Sequence, residues 1–257
     1  MADRWDPTVW TTSWLFWPVR HAARRFEAHA GWPALAEYDG VVAPFAPMRF
    51  VAAPPRRRRR GRGAPSLELQ YDARIHQRGE VPCRRASWHD FFNALVWTAF
   101  PRAKAALHAR QYRTVAARGR DERGFPAART REQDALALLD EGGALVLCAD
   151  AAADSLCAEL GATGAGASAL PQLVAAGQAT VAVFGHALYE HMARGDATAR
   201  AAAFVVAAAT VPREPARRLR LLDAALAAAI DDPASFREPE ARSSFVLAQV
   251  ATLPTPP

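Results

Sequence analysis

One segment restricts the fold of this chain more than any other, because its helix signals are consistent over two full elements. Ser87 stands three residues before Asp90, a spacing typical of a helix N-terminal capping box, and an apolar run to about Phe100 follows. Pro101 fits the first turn of a second helix, which is predicted to continue to about Ala117. Two consecutive helices therefore belong to any fold that the chain adopts.

Shorter patterns predict a mixture of strands and further helices. Strands are predicted at residues 47–52, Leu67–His76 and Ala179–Phe184, and a β-hairpin is predicted from the runs Ala135–Leu139 and Ala144–Cys148. Further helices are predicted at residues 18–30, 151–160, 168–176, 186–193 and 214–230, whereas residues 201–209 fit either a strand or a buried helix. Helices dominate, so we expect the α+β class, with one small mixed sheet of about four to six strands.

The length of 257 residues fits one domain with a substantial core. The prediction is therefore a single helix-rich α+β domain over residues 1–257. A disordered arginine-rich loop is expected at about residues 53–65, and an irregular tail from about residue 233.

The positive charge of the chain is local. The net charge is +6, and six arginines lie between residues 56 and 62, so the remainder of the sequence is balanced. This run could bind nucleic acid or an acidic partner electrostatically, and it could equally be a solvated loop insertion. The arginines are Arg56, Arg57, Arg58, Arg59, Arg60 and Arg62.

Cysteine usage and hydropathy indicate a cytoplasmic protein. The three cysteines form no C-x-x-C pair, which argues against a disulfide framework and a structural zinc site. The N-terminus lacks the apolar segment of a signal peptide. The uncharged stretch from Leu160 to Gly185 is interrupted by Pro171 and several glycines, so no membrane span is expected.

A compositional bias draws attention to two residues. Lysine occurs once, as Lys104, and asparagine occurs once, as Asn93, whereas arginine and alanine abound. Because lysine is a compact point charge and arginine a planar fork, the two do not replace each other at a tight site. The retained Lys104 and Asn93 are therefore candidates for positions where their chemistry is required.

The first candidate site lies at the start of the capped helix. His89 and Asn93 are four residues apart and share one helical face. The positive end of the helix favours a neutral imidazole at His89, which can accept a proton or bind a metal. Asp90 is a candidate to orient that imidazole. The alternative is structural: Asp90 caps the helix, while His89 and Asn93 tie the incoming loop to it.

The second helix offers a cation beside a histidine. Lys104 and His108 are four residues apart, and this pair suits a phosphate or carboxylate group. The alternative is an exposed helix face.

The third candidate follows a buried strand. Gly185 leads from that strand into a helix that carries His186 and Glu190, four residues apart, which could act as a base and its orienting group or as two ligands. The alternative is a buried histidine bonded to Glu190. Carboxylates at 134, 140 and 141 could complete a two-histidine metal site, for which His89, His186 and Asp140 are the candidate ligands of a divalent ion.

No Walker loop, G-x-G-x-x-G, G-x-S-x-G or H-E-x-x-H motif occurs. Instead, the blocks around these candidates resemble a bacterial family known as Domain of Unknown Function 3025, over roughly residues 5–230. The blocks are Tyr71-Asp72-x-Arg74-Ile75, residues 79–84, residues 88–97, residues 100–104, residues 140–143 and residues 184–190. The resemblance implies that the candidate residues belong to family signatures, and it implies no particular reaction.

These observations support an enzyme with a His/Asn/carboxylate site at His89, Asp90, Asn93, Lys104, His186 and Glu190. The reaction we expect is metal-assisted or general-base hydrolysis of a small, phosphate-bearing substrate. Two alternatives remain open at this point. One is a nucleic-acid or acidic-partner binding module that uses the arginine run, and the other is a structural or interaction protein with a buried polar core.

Overall fold

The computed structural model describes residues 3–54, 66–119, 128–161, 169–196, 198–239 and 244–253. Its helices are α1 (Trp17–Ala23), α2 (Leu35–Val42), α3 (Tyr71–Arg78), α4 (Trp88–Ala99), α5 (Pro101–Ala117), α6 (Arg131–Gly142), α7 (Asp150–Gly161), α8 (Ala169–Ala175), α9 (His186–Ala193), α10 (Pro215–Asp231) and α11 (Ala248–Ala251). Its strands are β1 (Arg49–Ala52), β2 (Glu80–Cys83), β3 (Gly143–Ala149), β4 (Ala179–Val183), β5 (Arg200–Ala208) and β6 (Ser244–Val246). The predicted helix-rich α+β class is confirmed.

The strands form two separate sheets rather than one. The larger is mixed, with the order β4-β3-β5-β6, in which β3 runs antiparallel to β4 and parallel to β5. Strands β1 and β2 form a parallel pair elsewhere. The side chains of β4 are all buried, as are nearly all those of β3, which explains their unbroken apolar sequences.

Helix α4 lies at the centre of the core. The Ser87 hydroxyl accepts a hydrogen bond from the Asp90 backbone N–H and caps the helix, as the sequence predicts. Every residue from Asp90 to Ala99 is buried, because α1, α2, α5 and α9 surround the helix. A helix that is enclosed in this way must either satisfy its polar side chains internally or use them chemically.

Aromatic residues near the N-terminus cover one side of α4. Trp5 stacks on Trp88 with ring centroids 5.2 Å apart. The indole N–H groups of Trp5, Trp14 and Trp17 each donate to a backbone carbonyl. These tryptophans therefore pack against the core, since each large ring buries its apolar body and satisfies its one polar atom.

The predicted strand at Leu67–His76 is wrong. This segment forms a 3-10 turn at Leu67–Leu69 and then helix α3, which ends at Gly79 with a φ of +62°. Alternating polarity over a short window also fits one turn of an amphipathic helix, and Gly79 supplies the left-handed ending that a helix requires. The residues after it form β2.

The predicted hairpin is also wrong in its first half. Residues 135–139 belong to α6, and only the second run forms a strand, β3. Thr130 and Gln133 form a capping box that starts α6. Leucine, alanine and glutamate prefer helix, and a short apolar run fits a helix as well as a strand.

The tail contains more regular structure than its sequence suggests. β6 pairs with the edge of β5, and α11 follows it, after the point where an irregular tail was expected. Residues 201–209, for which two interpretations were open, lie largely in β5. The arginine run lies outside the described residues. Within the described part of the chain, no helix is long and apolar enough to cross a membrane.

Candidate metal centre

The antiparallel pairing of β3 and β4 brings two helix–strand junctions together. Ala144, near the start of β3, lies opposite Val183 at the end of β4. Glu141 at the end of α6 therefore lies beside His186 at the start of α9. The Nε2 atom of His186 is 3.3 Å from Oε2 of Glu141.

Gly185 makes this approach possible. A Cβ atom at this position would lie 2.5 Å from both the carbonyl oxygen of Glu141 and the backbone nitrogen of Gly143. The Gly185 N–H instead donates to the Gly143 carbonyl over 2.8 Å. Backbone packs directly on backbone here, which a side chain would prevent.

His89 reaches the same point from the first turn of α4, because α4 packs against α9. Its Nε2 atom is 3.0 Å from the Nε2 atom of His186, and the two rings meet edge to face with centroids 4.3 Å apart. The same Nε2 atom is 3.8 Å from Oε2 of Glu141. Two histidines 97 residues apart in sequence thus converge on one carboxylate oxygen.

The Glu190 carboxylate fixes the orientation of His89 through the ring nitrogen that does not face Glu141. Oε2 of Glu190 is 3.0 Å from Nδ1 of His89, and in a neutral ring this contact places the proton on Nδ1 and a lone pair on Nε2. Glu190 in turn accepts from Arg194 over 2.7 Å, and Arg194 also pairs with Asp3. Asp3 accepts from the Trp88 backbone N–H, which ties this chain of contacts to the start of α4.

His186 is a buried, neutral imidazole. Burial lowers the pKa of His186 to about 3, an effect that the nearby Asp140 carboxylate opposes but does not overcome. Its Nδ1 atom has no hydrogen-bond partner within bonding distance among the described residues, and it faces Oδ1 of Asp140 at 4.0 Å. With the proton on Nδ1, Nε2 of His186 carries a lone pair 3.0 Å from Nε2 of His89.

The three converging atoms have the spacing of metal ligands. The distances of 3.0, 3.3 and 3.8 Å between them define a circle with a radius of about 2.0 Å, so one point lies that far from each atom. Zinc binds imidazole nitrogen and carboxylate oxygen at about 2.0–2.2 Å. His89, Glu141 and His186 are also the one group of this kind among the residues that the structure describes.

Glu141 gives the centre its access to solvent. Its side chain is 50% exposed, against 23% for His89 and 4% for His186. Partial burial raises the pKa of the Glu141 carboxyl, and His89 acts in the opposite direction without cancelling that effect. One buried imidazole, one partly buried imidazole and one accessible carboxylate leave an open side, as in catalytic rather than structural metal sites.

A family model described as "Protein of unknown function (DUF3025)" matches residues 61–248, about three quarters of the chain. The chain belongs to the DUF3025 family. The resemblance seen in the sequence is confirmed, although the match begins at residue 61 rather than near residue 5. No match was found among curated proteins or among solved structures. The DUF3025 match includes all three converging residues.

Lys104 and Asn93 contact each other in the interior of this DUF3025 protein. The Lys104 Nζ atom donates to Oδ1 of Asn93 over 2.8 Å and to Oδ1 of Asp140 over 2.6 Å. Asn93 also donates to the hydroxyl of Tyr71. The Lys104 side chain is 0% exposed, so it cannot meet an external phosphate as the sequence suggested. Its role is to neutralise Asp140 behind the two histidines.

Asp140 is therefore a neighbour of the centre rather than its carboxylate. Burial alone would raise the pKa of the Asp140 carboxyl, but Lys104, His186 and His108 hold it below its usual range. Its oxygen is bound to Lys104, whereas Glu141 occupies the position that the sequence assigned to Asp140.

Asp90 is not part of this group. Its carboxylate accepts from the backbone N–H, Nε and Nη2 of Arg84, at 2.7, 2.8 and 3.1 Å. It holds the segment before α4 in place and does not orient His89. Of the two carboxylates considered for that role, only Glu190 contacts the ring.

His108 also turns inward. Its Nδ1 atom is 2.9 Å from Oδ1 of Asp72, and its ring stacks on Trp97. The structure thus brings His89, His186 and Glu190 together, and it places Asn93 and Lys104 in the layer behind them. Glu141 was one of three carboxylates that the sequence offered for a metal site, although Asp140 was the one chosen as a ligand. Tyr71, Asp72 and Arg194 were not selected from the sequence, although Tyr71 and Asp72 lie within the family blocks.

Proposed function

We propose that this protein is a metal-dependent hydrolase whose ion is held by His89, His186 and Glu141. The observation that carries the proposal is the orientation of the two imidazoles. Each presents Nε2 to the same oxygen of Glu141, and each turns Nδ1 toward a carboxylate, Glu190 or Asp140. A carboxylate behind each histidine is the usual arrangement around a metal, because it fixes the tautomer and raises the basicity of the ligand.

A set of two nitrogens and one oxygen suits a first-row divalent ion such as Zn²⁺. Such an ion, with three protein ligands and an open side, would polarise a substrate oxygen and lower the pKa of a bound water to about 7. The protein residues supply the rest. Glu190 holds His89 in place, the Asp140 carboxylate faces His186 at 4.0 Å, and the buried walls around His186 exclude bulk water from one side.

The proposed reaction is the hydrolysis of a phosphate-bearing small molecule. Water would add to the electrophilic centre, and the leaving group would depart with a proton. Lys104 cannot supply the cation that such a substrate requires, since it is buried and paired. The cationic group must therefore lie on the open side, near Glu141.

Elemental mass spectrometry of the purified, untagged protein tests the proposal. We expect about one equivalent of a transition metal in the wild type, and its loss from Glu141→Gln and from a double His89→Ala/His186→Ala variant. His191→Ala is the matched control, because His191 lies on α9 but is half exposed and contacts Asp196 instead. An equal metal content in wild type and the double variant would contradict the proposal.

A structural role for the polar core is the second candidate, and the buried Lys104–Asn93–Tyr71 contacts favour it. If the core were only structural, His89→Ala would lower the free energy of unfolding by about 1–3 kcal/mol, as expected when a buried partner is orphaned. The hydrolase proposal expects that loss to be small without metal and larger with metal, so unfolding with and without a chelator separates the two.

A further inference from the structure

A small polar cavity adjoins the candidate metal centre. It has a volume of about 170 Å³ and lies between α3, α5 and α6, with Glu141 in its wall. Its size is close to that of a cavity of about 150 Å³ that holds one benzene molecule. The cavity therefore accommodates one compact chemical group rather than an entire large substrate.

The anionic groups in the wall of this cavity already have partners. Asp72 contacts His108 at 2.9 Å, Asp140 contacts Lys104 at 2.6 Å, and Glu141 faces His186. Arg129 also lines the cavity, and its guanidinium forms no ion pair with any residue that the structure describes. The described wall thus carries a guanidinium without an ion pair, beside a Glu141 carboxylate that the proposed ion would neutralise.

Two further polar groups in the wall have hydrogen-bonding capacity that no described residue satisfies. The Tyr71 hydroxyl accepts a hydrogen bond from Asn93, and burial raises the pKa of this hydroxyl, so it retains a proton that it can donate. The Nε2 atom of His108 is buried and has no hydrogen-bond partner in the described structure, and its side chain is only 2% exposed. Buried polar atoms normally have a partner, so Nε2 of His108 and the Tyr71 proton are free to bind a group that enters the cavity.

We infer that this cavity receives the phosphoryl group of the substrate, with Arg129 and Tyr71 as donors to its oxygens. A phosphoryl group is compact, carries several acceptor oxygens and binds guanidinium through charge-assisted hydrogen bonds. The inference rests on the proposed hydrolase function, because Glu141 is shared by the cavity and the metal centre and would place the bound group next to the ion.

Calorimetric titration of inorganic phosphate into the zinc-loaded full chain tests this inference. We expect Arg129→Gln to weaken phosphate binding by about tenfold or more, the loss of one charge-assisted contact. Ala137→Leu should weaken it similarly, because Ala137 lines the cavity and a larger side chain would fill it without changing the charge. Arg113→Gln is the matched control, since Arg113 is exposed on α5 and pairs with Asp231.

Unchanged phosphate affinity in both Arg129→Gln and Ala137→Leu would overturn the inference, as would a wild type that does not bind phosphate. Acetate is titrated in parallel, and acetate binding as tight as that of phosphate would overturn the assignment to a phosphoryl group.

The zinc content of each sample separates the two proposals. Arg129 is not a ligand, so Arg129→Gln should retain zinc while it loses phosphate. A protein that holds zinc but no phosphate contradicts the cavity assignment alone. A protein without zinc whose phosphate binding depends on Arg129 contradicts the hydrolase alone.

Discussion

The Nε2 atoms of His89 and His186 lie 3.0 Å apart, and neither ring can move away without breaking its own support. His89 is held by Glu190, and His186 is buried against the junction of α6 and β3. Two nitrogens at this distance share either a proton or a cation. The nearby oxygen of Glu141 favours the cation, and the first two predictions follow from this relationship.

Bound metal should stabilise the fold. An ion that binds only the native state adds about 2.7 kcal/mol to the free energy of unfolding at a free concentration one hundred times Kd. We expect zinc to raise the Tm of the wild type and a chelator to reverse the change. Thermal unfolding of Glu141→Gln under the same conditions is the control, and an equal rise in that variant would show that zinc acts elsewhere.

Replacing the residue behind His89 should weaken metal binding without abolishing it. Glu190→Gln keeps the shape of the side chain but removes the charge that orients the imidazole, and such changes reduce metal affinity by about 10–100-fold. Competition with a chromogenic chelator measures the affinity. Glu214→Gln should have no effect, since Glu214 is exposed near α10. Equal affinities for Glu190→Gln and wild type would remove Glu190 from the centre.

The ion pair behind the centre should control stability. Asp140→Asn leaves the fully buried Lys104 without a counter-charge, which is expected to cost about 3–5 kcal/mol in the free energy of unfolding. The exposed pair of Arg113 and Asp231 gives the comparison, because Asp231→Asn should cost no more than about 1 kcal/mol. Urea unfolding measures both. Similar losses for the two variants would mean that Lys104 is not isolated from solvent.

The effect of Asp140→Asn should depend on pH in a defined direction. Against the effect of burial, Lys104 and two histidines keep the pKa of Asp140 below its ordinary value of about 4 in the folded protein. The stabilisation that the ionised Asp140 carboxylate gives the folded state is therefore complete above that ordinary pKa value. It is lost as the pH falls below this value toward the folded-state pKa. Denaturation with a chelator present should show the gap between wild type and Asp140→Asn narrowing below about pH 4. If the difference in stability between wild type and Asp140→Asn widened below this pH, the pKa of Asp140 would not be lowered in the folded protein.

The turn before His186 should tolerate no side chain. Gly185→Ala would place a Cβ atom 2.5 Å from backbone atoms of two residues, so α9 or the start of β3 must shift. We expect a loss of both stability and metal. Gly40→Ala is a matched change within a helix, where no atom lies within 4 Å, and it should be neutral or stabilising by up to about 1 kcal/mol. Full metal content in Gly185→Ala would argue against this geometry.

The sequence predicts the long elements of the fold better than the short ones. Helices α4, α5 and α10 carry caps, prolines or sustained periodicity, and each was predicted close to its observed bounds. Helix α3 was misinterpreted because a short alternating run fits both a strand and one helical turn, and α6 because a short apolar run fits either element. Gly79 ends α3 and the capping box at Thr130 starts α6. These local signals decide between helix and strand only when the rest of the fold packs against the two segments.

The site was partly predictable for a similar reason. His89 and His186 each follow a local signal, a capped helix start and a glycine after a buried strand. The choice between Asp140 and Glu141 depends on which helix face points inward, and the hairpin prediction assigned these two residues to a turn. Once α6 is a helix, Asp140 faces Lys104 and Glu141 faces the histidines.

The pairing of β3 with β4 has a consequence for how this centre assembles. A slip of two residues in that register would preserve the inward face of every side chain, yet it would move Glu141 by about 7 Å relative to His186. The packing of the buried strands already favours one alignment, and an ion shared by both junctions would add to that preference because it accepts only one of them. Metal binding would thus favour the correct register of β3 and β4. The fraction of the protein that binds metal would then measure the fraction of molecules whose strands are correctly aligned.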